Sequence, residues 1–353
     1  MTDGLHVLPV RGIGDVTPGD DLADLIAAAA PWLRDGDVLV VTSKIVSKAE
    51  GRLAELPDGE DARATAREAT LVAETARVVA RRGPVRIVQT HHGFVMAAAG
   101  IDASNVDSSL LVLLPKDPDA SARALRVALR ERFDLRVAVI ISDTMGRPWR
   151  LGQTDVALGA AGIAPIRDHR GETDPYGNEL QVTEIAVVDQ VAGAGELVKG
   201  KVDGVPVAVV RGYPGLRGDE PDGPGVAALI REPAEDLFGL GTAEARSAGL
   251  RAAATLPHAA PATPAPPADL PTAVARAIAA VAGVIGPGTL LSHAPGVRGY
   301  EITARLDRPA DPAALVRLGA DLHRVRAALA AEGVGSVVRE ATGGDPAAVL
   351  IVR

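Results

Sequence analysis

Residues 37–52, DVLVVTSKIVSKAEGR, set the terms for the fold. Between positions 37 and 43 aliphatic, mostly β-branched residues follow one another without alternation, the composition of a strand buried on both faces. The run ends abruptly in the polar turn Thr42-Ser43-Lys44. If the next stretch, 45–50, is helical, Lys44 and Lys48 stand one turn apart on one face, with Arg52 close behind. The same design recurs twice. The run 137–142 leads into Ser142-Asp143-Thr144, and the run 205–211 into Arg211-Gly212. Residues 85–89 and 110–114 read as further strands. Helical spacing of apolar residues predicts helices over 60–82, 119–133 and 182–198. The stretches 93–109 and 145–177 read as long polar loops, which inside a domain are usually functional or disordered. Strands alternating with helices predict a mixed α/β or α+β domain whose site assembles at strand ends.

A second decision lies at residues 256–271, LPHAAPATPAPPADLP. Proline at that density is incompatible with a helix or a central strand and reads as a semi-extended connection. It predicts a large domain over 1–250, an Ala/Pro-rich linker over 251–271 and a small domain over 272–353. The small domain reads helix 272–285, strand 300–306, helix 311–332 and strands 335–341 and 347–353, an α+β unit with no recognisable chemistry.

Composition removes whole classes of function. The 353 residues include no cysteine, which excludes a disulfide framework, a zinc-thiolate site, an iron–sulfur cluster and a catalytic thiol. A net charge of −8 argues against a general nucleic-acid binder, and two Trp, three Tyr and three Phe leave little for base-stacking platforms. No run of about 18 apolar residues is present, so no membrane span is expected. The start, Met1-Thr2-Asp3-Gly4, lacks the basic and apolar regions of a secretion signal, and a cytoplasmic protein is expected.

Candidate chemistry collects at the polar turns. Asp143-Thr144, emerging from a buried strand, suits a divalent cation with carboxylate and hydroxyl ligands, and equally suits a capped turn; spacing leaves both open. Asp102, in Gly100-Ile-Asp-Ala-Ser-Asn105, suits a metal–phosphate site but on its own reads as an Asx-turn. Lys44 and Lys48 suit an anionic ligand such as a triphosphate, against a solvated helix face. Arg147 and Arg150 add cationic groups just after Asp143-Thr144. The pair His91-His92 projects to opposite sides of a strand and points to a structural or substrate-contacting role rather than a metal site. Residues 195–202, GELVKGKV, fit G-x-x-x-x-G-K but carry Val202 where a phosphate loop needs Ser or Thr, and no strand precedes them.

Taken together, residues 8–22 (LPVRGIGDVTPGDDL), 35–52, 92–105 (HGFVMAAAGIDASN), 141–162 (ISDTMGRPWRLGQTDVALGAAG) and 235–242 (EDLFGLGT) closely resemble the coenzyme F420-0:gamma-glutamyl ligases. The resemblance spans about residues 5–245. It implies an α+β ligase domain of mixed sheets with flanking helices, commonly a homodimer. The implied activity adds L-glutamate to the deazaflavin precursor F420-0, using GTP and a divalent metal, Mg2+ or Mn2+ at two sites, helped by a monovalent cation such as K+. The resemblance further implies metal ligands at Asp102, Asp143 and Thr144. It implies nucleotide contacts from Ile13, Gly14, Asp15 and Val16, from Ser43 and Lys48, from Asn105, and from Lys199, Gly200, Lys201, Val202, Asp203 and Gly204.

Phosphoryl transfer needs charge neutralisation more than covalent help. Lys48, Arg147 and Arg150 are therefore the residues expected to neutralise the transferred group, and 168–177 is a candidate wall for acidic substrates. Four positions depart from the family pattern: Ile13-Gly14 replaces the usual Leu-Pro, Gln190 stands where an acid is common, and Lys201 takes a place where an oxygen ligand is sometimes found. An ammonium group only donates and cannot ligate a metal. The small domain is about half the length of the flavin-binding nitroreductase-like domain found in longer, two-domain relatives, so no FMN is expected. Two rival readings remain: a weakened nucleotide-binding module with a partner-binding C-terminal domain, and a bifunctional ligase–reductase.

Overall fold

The structure, a computed structural model, describes residues 4–352 apart from 105, 202, 215, 217, 233–234, 237, 258, 261–268, 297–298, 308–310 and 341–346. Its class is α+β, and the chain divides into two units, Met1–Gly241 and Thr242–Arg353. The helix Thr242–Ala254 groups with the second unit, although the sequence places most of it in the large domain.

The first unit is built on a five-stranded sheet in the order His6–Val10, Val207–Arg211, Val38–Thr42, Ala138–Arg147, Arg150–Ala161. Its central pair, Val38–Thr42 with Ala138–Ser142, is parallel and in register from Val38 opposite Ala138 to Thr42 opposite Ser142. The other pairings are antiparallel. Because successive side chains leave a strand on opposite faces, the uninterrupted aliphatic runs supply two cores at once. Leu39, Val41, Val139, Ile141, Val207 and Val209 face one side, where Ile26 of helix Leu22–Ala29 and Leu125 and Leu129 of helix Pro118–Phe133 cover them. Val38, Val40, Ala138, Ile140, Ala208 and Val210 face the other, beneath Val188, Val191 and Ala192 of helix Val187–Lys199. Gly195 lets that last helix lie close to the sheet: a Cβ there would stand 2.9 Å from the Val40 side chain.

Local chemistry starts and stops these helices. The Asp21 side chain accepts from the backbone N–H of Ala23 and Asp24 at the head of Leu22–Ala29. Asp117 accepts from Ala120 N–H at 2.9 Å with Pro118 in the first turn, and Asp134 closes the helix in the left-handed region. In the second unit Asp269 and Asp311 repeat the Asp–Pro start for helices Leu270–Val281 and Pro312–Ala331. Those two helices share a core with Ile302, Leu350 and Val352 of an antiparallel sheet ordered Ala259–Ala260, Ser336–Glu340, Ala347–Val352, Gly299–Leu306, Thr289–Gly296.

Three expectations change. The segment 60–82 is not one helix: Glu60–Ala73 is helical, and Thr75–Arg82 is a strand paired with Val85–Thr90 across the turn at Gly83-Pro84. The apolar residues Val78 and Val79 are β-branched, and cross-strand pairing overrides the helical spacing. The presumed loop 145–177 contains the 12-residue strand Arg150–Ala161, which forms a long hairpin with Ala138–Arg147. Helix Val187–Lys199 starts five residues later than expected, after a short strand Glu184–Ala186 paired with Ile166–Asp168. Within 251–271, Ala259–Ala260 pair at the sheet edge and residues 261–268 lie outside the described residues. Among the described residues no helix is long and apolar enough to cross a membrane.

Two substitutions test this architecture. An Ala at Gly159 would drive its Cβ into the Pro118 carbonyl at the start of a helix, backbone against backbone. Gly159→Ala is expected to lower unfolding free energy by about 1–3 kcal/mol in urea titration. Asp37, buried at the start of its strand, accepts from Arg211 Nε and Nη2 at 2.7 Å each. Asp37→Ala strands that guanidinium and is expected to cost roughly 3 kcal/mol by the same measurement.

Candidate functional site

Parallel pairing brings the C-terminal ends of Val38–Thr42 and Ala138–Ser142 side by side, and a cavity of about 470 Å³ opens there. Its wall draws on segments far apart in the chain: Ile13–Val16, residues of Thr42–Lys48, Gly100 with Asp102, Val112–Leu114, Asp143–Thr144 with Asp155, and Glu196 with Lys199–Lys201 and Gly204–Pro206. The turn after Thr42 enters a short helix, Ser43–Ala49, so Lys44 and Lys48 do project one turn apart toward the cavity. Lys48 Nζ lies 2.6 Å from Asp15 Oδ1, and that contact holds the Asp15 carboxyl below its ordinary range.

Asp102 is presented by a strained reversal. Ala98, Ala99 and Gly100 all take left-handed φ (49°, 55° and 71°), and Asp102 then forms an isolated bridge with Val112 through two backbone hydrogen bonds. At Gly100 a Cβ would crowd Leu114 and Met96 within 2.9 Å. The Asp102 carboxylate accepts from the Ser104 N–H at 2.6 Å, the Asx-turn geometry, and meets Lys44 Nζ at 2.7 Å. Burial pushes the Asp102 carboxyl up, but Lys44 and Ser104 more than offset it and leave it lowered.

Asp143 behaves in the opposite way. It accepts its neighbour Thr144's N–H at 2.8 Å, and burial, reinforced by negative charge on Asp155 and Asp102, pushes its carboxyl up to about 6. Beside it lies a buried cluster. Asp155 Oδ2 accepts from Lys199 Nζ at 2.7 Å and from Ser142 Oγ at 2.8 Å, while Oδ1 accepts from Thr144 Oγ1 at 2.8 Å. Lys201 Nζ, more exposed, donates to Thr144 Oγ1 at 2.6 Å.

The expected residues Ile13, Gly14, Asp15, Val16, Ser43, Lys48, Asp102, Asp143, Thr144, Lys199, Gly200, Lys201 and Gly204 therefore line one cavity. Asn105 and Val202 lie outside the described residues. Asp203 folds toward Gly200 without lining the cavity, and Gln190 is exposed on its helix. Arg147 and Arg150 sit at the exposed tip of the long hairpin, away from the cavity; Arg147 donates to the Leu151 carbonyl. Segment 168–177 also lies elsewhere, its Asp168 and Arg170 paired with each other at 2.6 Å. Arg52 bonds Glu74 and the Leu114 carbonyl, and His91 and His92 meet backbone carbonyls of Ala73 and Lys116, all structural contacts. The stretch 195–202 begins inside a helix, the wrong context for a phosphate loop.

Asp155 and Glu196 escaped the sequence reading. Asp155 is hidden because its strand reads as loop; the apolar run Val156-Ala-Leu158 just after it is the signal that marks the strand. Among the described residues no three carboxylate or histidine groups converge into a ready-made metal cluster. The donor chemistry of Asp102, Asp143 and Thr144 nevertheless suits a hard divalent cation: carboxylates and a hydroxyl, no imidazole or sulfur, with the Asp143 carboxyl raised by burial and, after it, by the negative charge of Asp155 and Asp102.

Known proteins bear directly on this geometry. The sequence profile of the F420-0:gamma-glutamyl ligase family matches residues 12–212. A coenzyme F420:L-glutamate ligase from Methanothermobacter thermautotrophicus is 42% identical over 253 residues, covering 67% of this chain and 99% of that protein. Namesakes from Methanopyrus kandleri and Haloarcula marismortui are 43% and 42% identical over 248 and 250 residues, covering 66% of this chain each and 97% and 95% of their own lengths. The matched span contains every strand that frames the cavity except the edge strand His6–Val10, whose own turn contributes the Ile13–Val16 wall. The chain belongs to the F420-0:gamma-glutamyl ligase family.

Proposed function

We propose that this protein joins L-glutamate to coenzyme F420-0 through an amide bond, with GTP as the activating nucleotide and a divalent metal, in the biosynthesis of coenzyme F420. The observation that carries the reading is the convergence of segments far apart in the chain, all within the family-matched residues 12–212 and bringing Lys44, Lys48 and Lys201, on one cavity large enough for a small-molecule ligand. The chemistry follows from need. A carboxylate does not accept an amine unaided, so one oxygen of the F420-0 carboxylate attacks the γ-phosphorus of GTP and the bond to GDP breaks. The glutamate amine then attacks the acyl carbon of the acyl phosphate, inorganic phosphate leaves, and the nitrogen gives up a proton.

Within this scheme Lys44, Lys48 and Lys201 neutralise phosphate charge, and the Ile13–Val16 and Lys199–Gly204 turns bring backbone to the nucleotide. Asp102, Asp143 and Thr144 would hold the metal, which when bound stabilises negative charge on the phosphates. Lys201 acts on phosphate and not as a ligand, since an ammonium has no lone pair to give. A monovalent cation such as K+ and a homodimer belong to the same reading. The apolar Trp149 and Leu151, 88% and 98% exposed at the hairpin tip, are compatible with a second copy.

Incubation with F420-0, GTP, L-glutamate and Mn2+ is expected to increase product mass by glutamyl units with matching GDP release. Prior chelation abolishes turnover and Mn2+ restores it. Asp143→Ala is expected to reduce turnover about a hundredfold or more while the far-ultraviolet circular dichroism spectrum is unchanged. GTP binding without any glutamyl product would overturn the ligase reading and return the nucleotide-binding module.

A further inference from the structure

Behind Thr144 and the glycine turn stands a buried ion pair. Asp155 and Lys199 have side chains 2% and 3% exposed and meet at 2.7 Å. Removing two charges from water is expensive, and such a pair is weak support for stability, so its other contacts are informative. The Asp155 carboxylate has four strong acceptor sites. Oδ2 takes Lys199 Nζ and Ser142 Oγ, and Oδ1 takes Thr144 Oγ1. Lys199 is itself fully engaged, donating to Ser142 Oγ at 2.9 Å and lying 3.5 Å from Glu196 Oε2. It is therefore occupied as the counter-ion of Asp155, and of the two lysines flanking Gly200 only Lys201 is exposed to a ligand.

A hydroxyl owns one proton and two lone pairs. With its proton given to Asp155, Thr144 Oγ1 turns both lone pairs outward, and Lys201 Nζ already donates into one of them at 2.6 Å. We propose that Asp155, held ionised and immobile by Lys199 and Ser142, is a positioning residue that fixes the Thr144 hydroxyl as an obligate acceptor toward the cavity, so that Thr144 meets cations and never competes with them as a donor. The proposal rests on the metal-dependent reading of the site. It predicts that an uncharged isostere fails: the amide of Asp155→Asn can present N–H to Thr144 and send the hydroxyl proton into the cavity.

The test measures Mn2+ affinity by electron paramagnetic resonance on the full chain without substrates, alongside kcat and KM. Asp155→Asn is expected to weaken Mn2+ binding about 10- to 100-fold and to lower kcat correspondingly, with KM for L-glutamate little changed. Thr144→Val should match it, and the double variant should lose no more than either single one, because the two residues act as a unit. Asp155→Glu, which keeps the charge and the acceptor, should recover part of the Mn2+ affinity. If Asp155→Asn alone unfolds because Lys199 is stranded, Asp155→Asn/Lys199→Met removes both charges and carries the same measurement. Folded variants that bind Mn2+ as the parent does, or losses that add in the double variant, overturn the proposal alone. A parent protein that binds no Mn2+ overturns the metal reading and the proposal together.

Discussion

The parallel register of two strands is the constraint on which the site depends. Val38–Thr42 and Ala138–Ser142 run in the same direction with Thr42 opposite Ser142, so the polar residues that follow each lie at one end of the pair, where the first strand gives way to a helix and the second runs on to Arg147. Parallel neighbours need a long crossover, and here nearly a hundred residues intervene, carrying Asp102 and the Val112–Leu114 wall with them. Each apolar strand hands over to polar residues at the same height: Ser43 and Lys44 from one, Asp143 and Thr144 from the other. A slip of two residues along that pair would keep both cores apolar and still move Ser43 and Lys44 out of level with Asp143 and Thr144. The antiparallel partner Arg150–Ala161 then delivers Asp155 opposite Thr144.

Charge in the cavity is arranged as a gradient from fixed to available. At the bottom, Lys199 and Asp155 neutralise each other in near-complete burial. Midway, Lys44 meets Asp102, half-buried; at the rim, Lys48 meets the more exposed Asp15. Screening by solvent weakens the outer pairs and leaves the inner one rigid. An anionic ligand therefore finds cations at Lys44, Lys48 and Lys201 that can change partners at small expense, above a base that holds its shape. Asp143 stands between these regimes, with its carboxyl raised to about 6 by burial and by the acids beside it.

Much of this was legible in the residues, and the omissions have a physical pattern. The change from apolar to polar residues at 42–44 marks the true end of a strand, because a buried parallel strand has no alternation to confuse; at 142–144 the same change reads as a turn, but the strand runs on to Arg147 along its antiparallel partner. The Lys44–Lys48 spacing predicted a shared helix face, and the helix is there. What escaped was the chemistry on strands that are half wet. Thr75–Arg82 mimicked a helix because its Arg and Ala residues carry helix propensity while only its cross-strand partner favours extension. Arg150–Ala161 reads as loop because its first half is polar, and that conceals Asp155. Arg147 and Arg150 erred in the other direction: near Asp143 in sequence, they are carried off by a hairpin that advances about 3.4 Å per residue.

The sequence by itself determined the class of the protein, its family, the location of its polar turns and most of the side chains at the cavity, since each of these rests on local composition or on motifs of adjacent residues. Tertiary structure alone decided which of those groups touch. That Lys199 is spent on Asp155 while Lys201 faces the cavity, two residues away on the same turn, depends on one helix ending above a strand 44 positions earlier. Side-chain partnership is a matter of register between distant segments, and register is set by the packing of whole faces, which no short stretch of sequence contains.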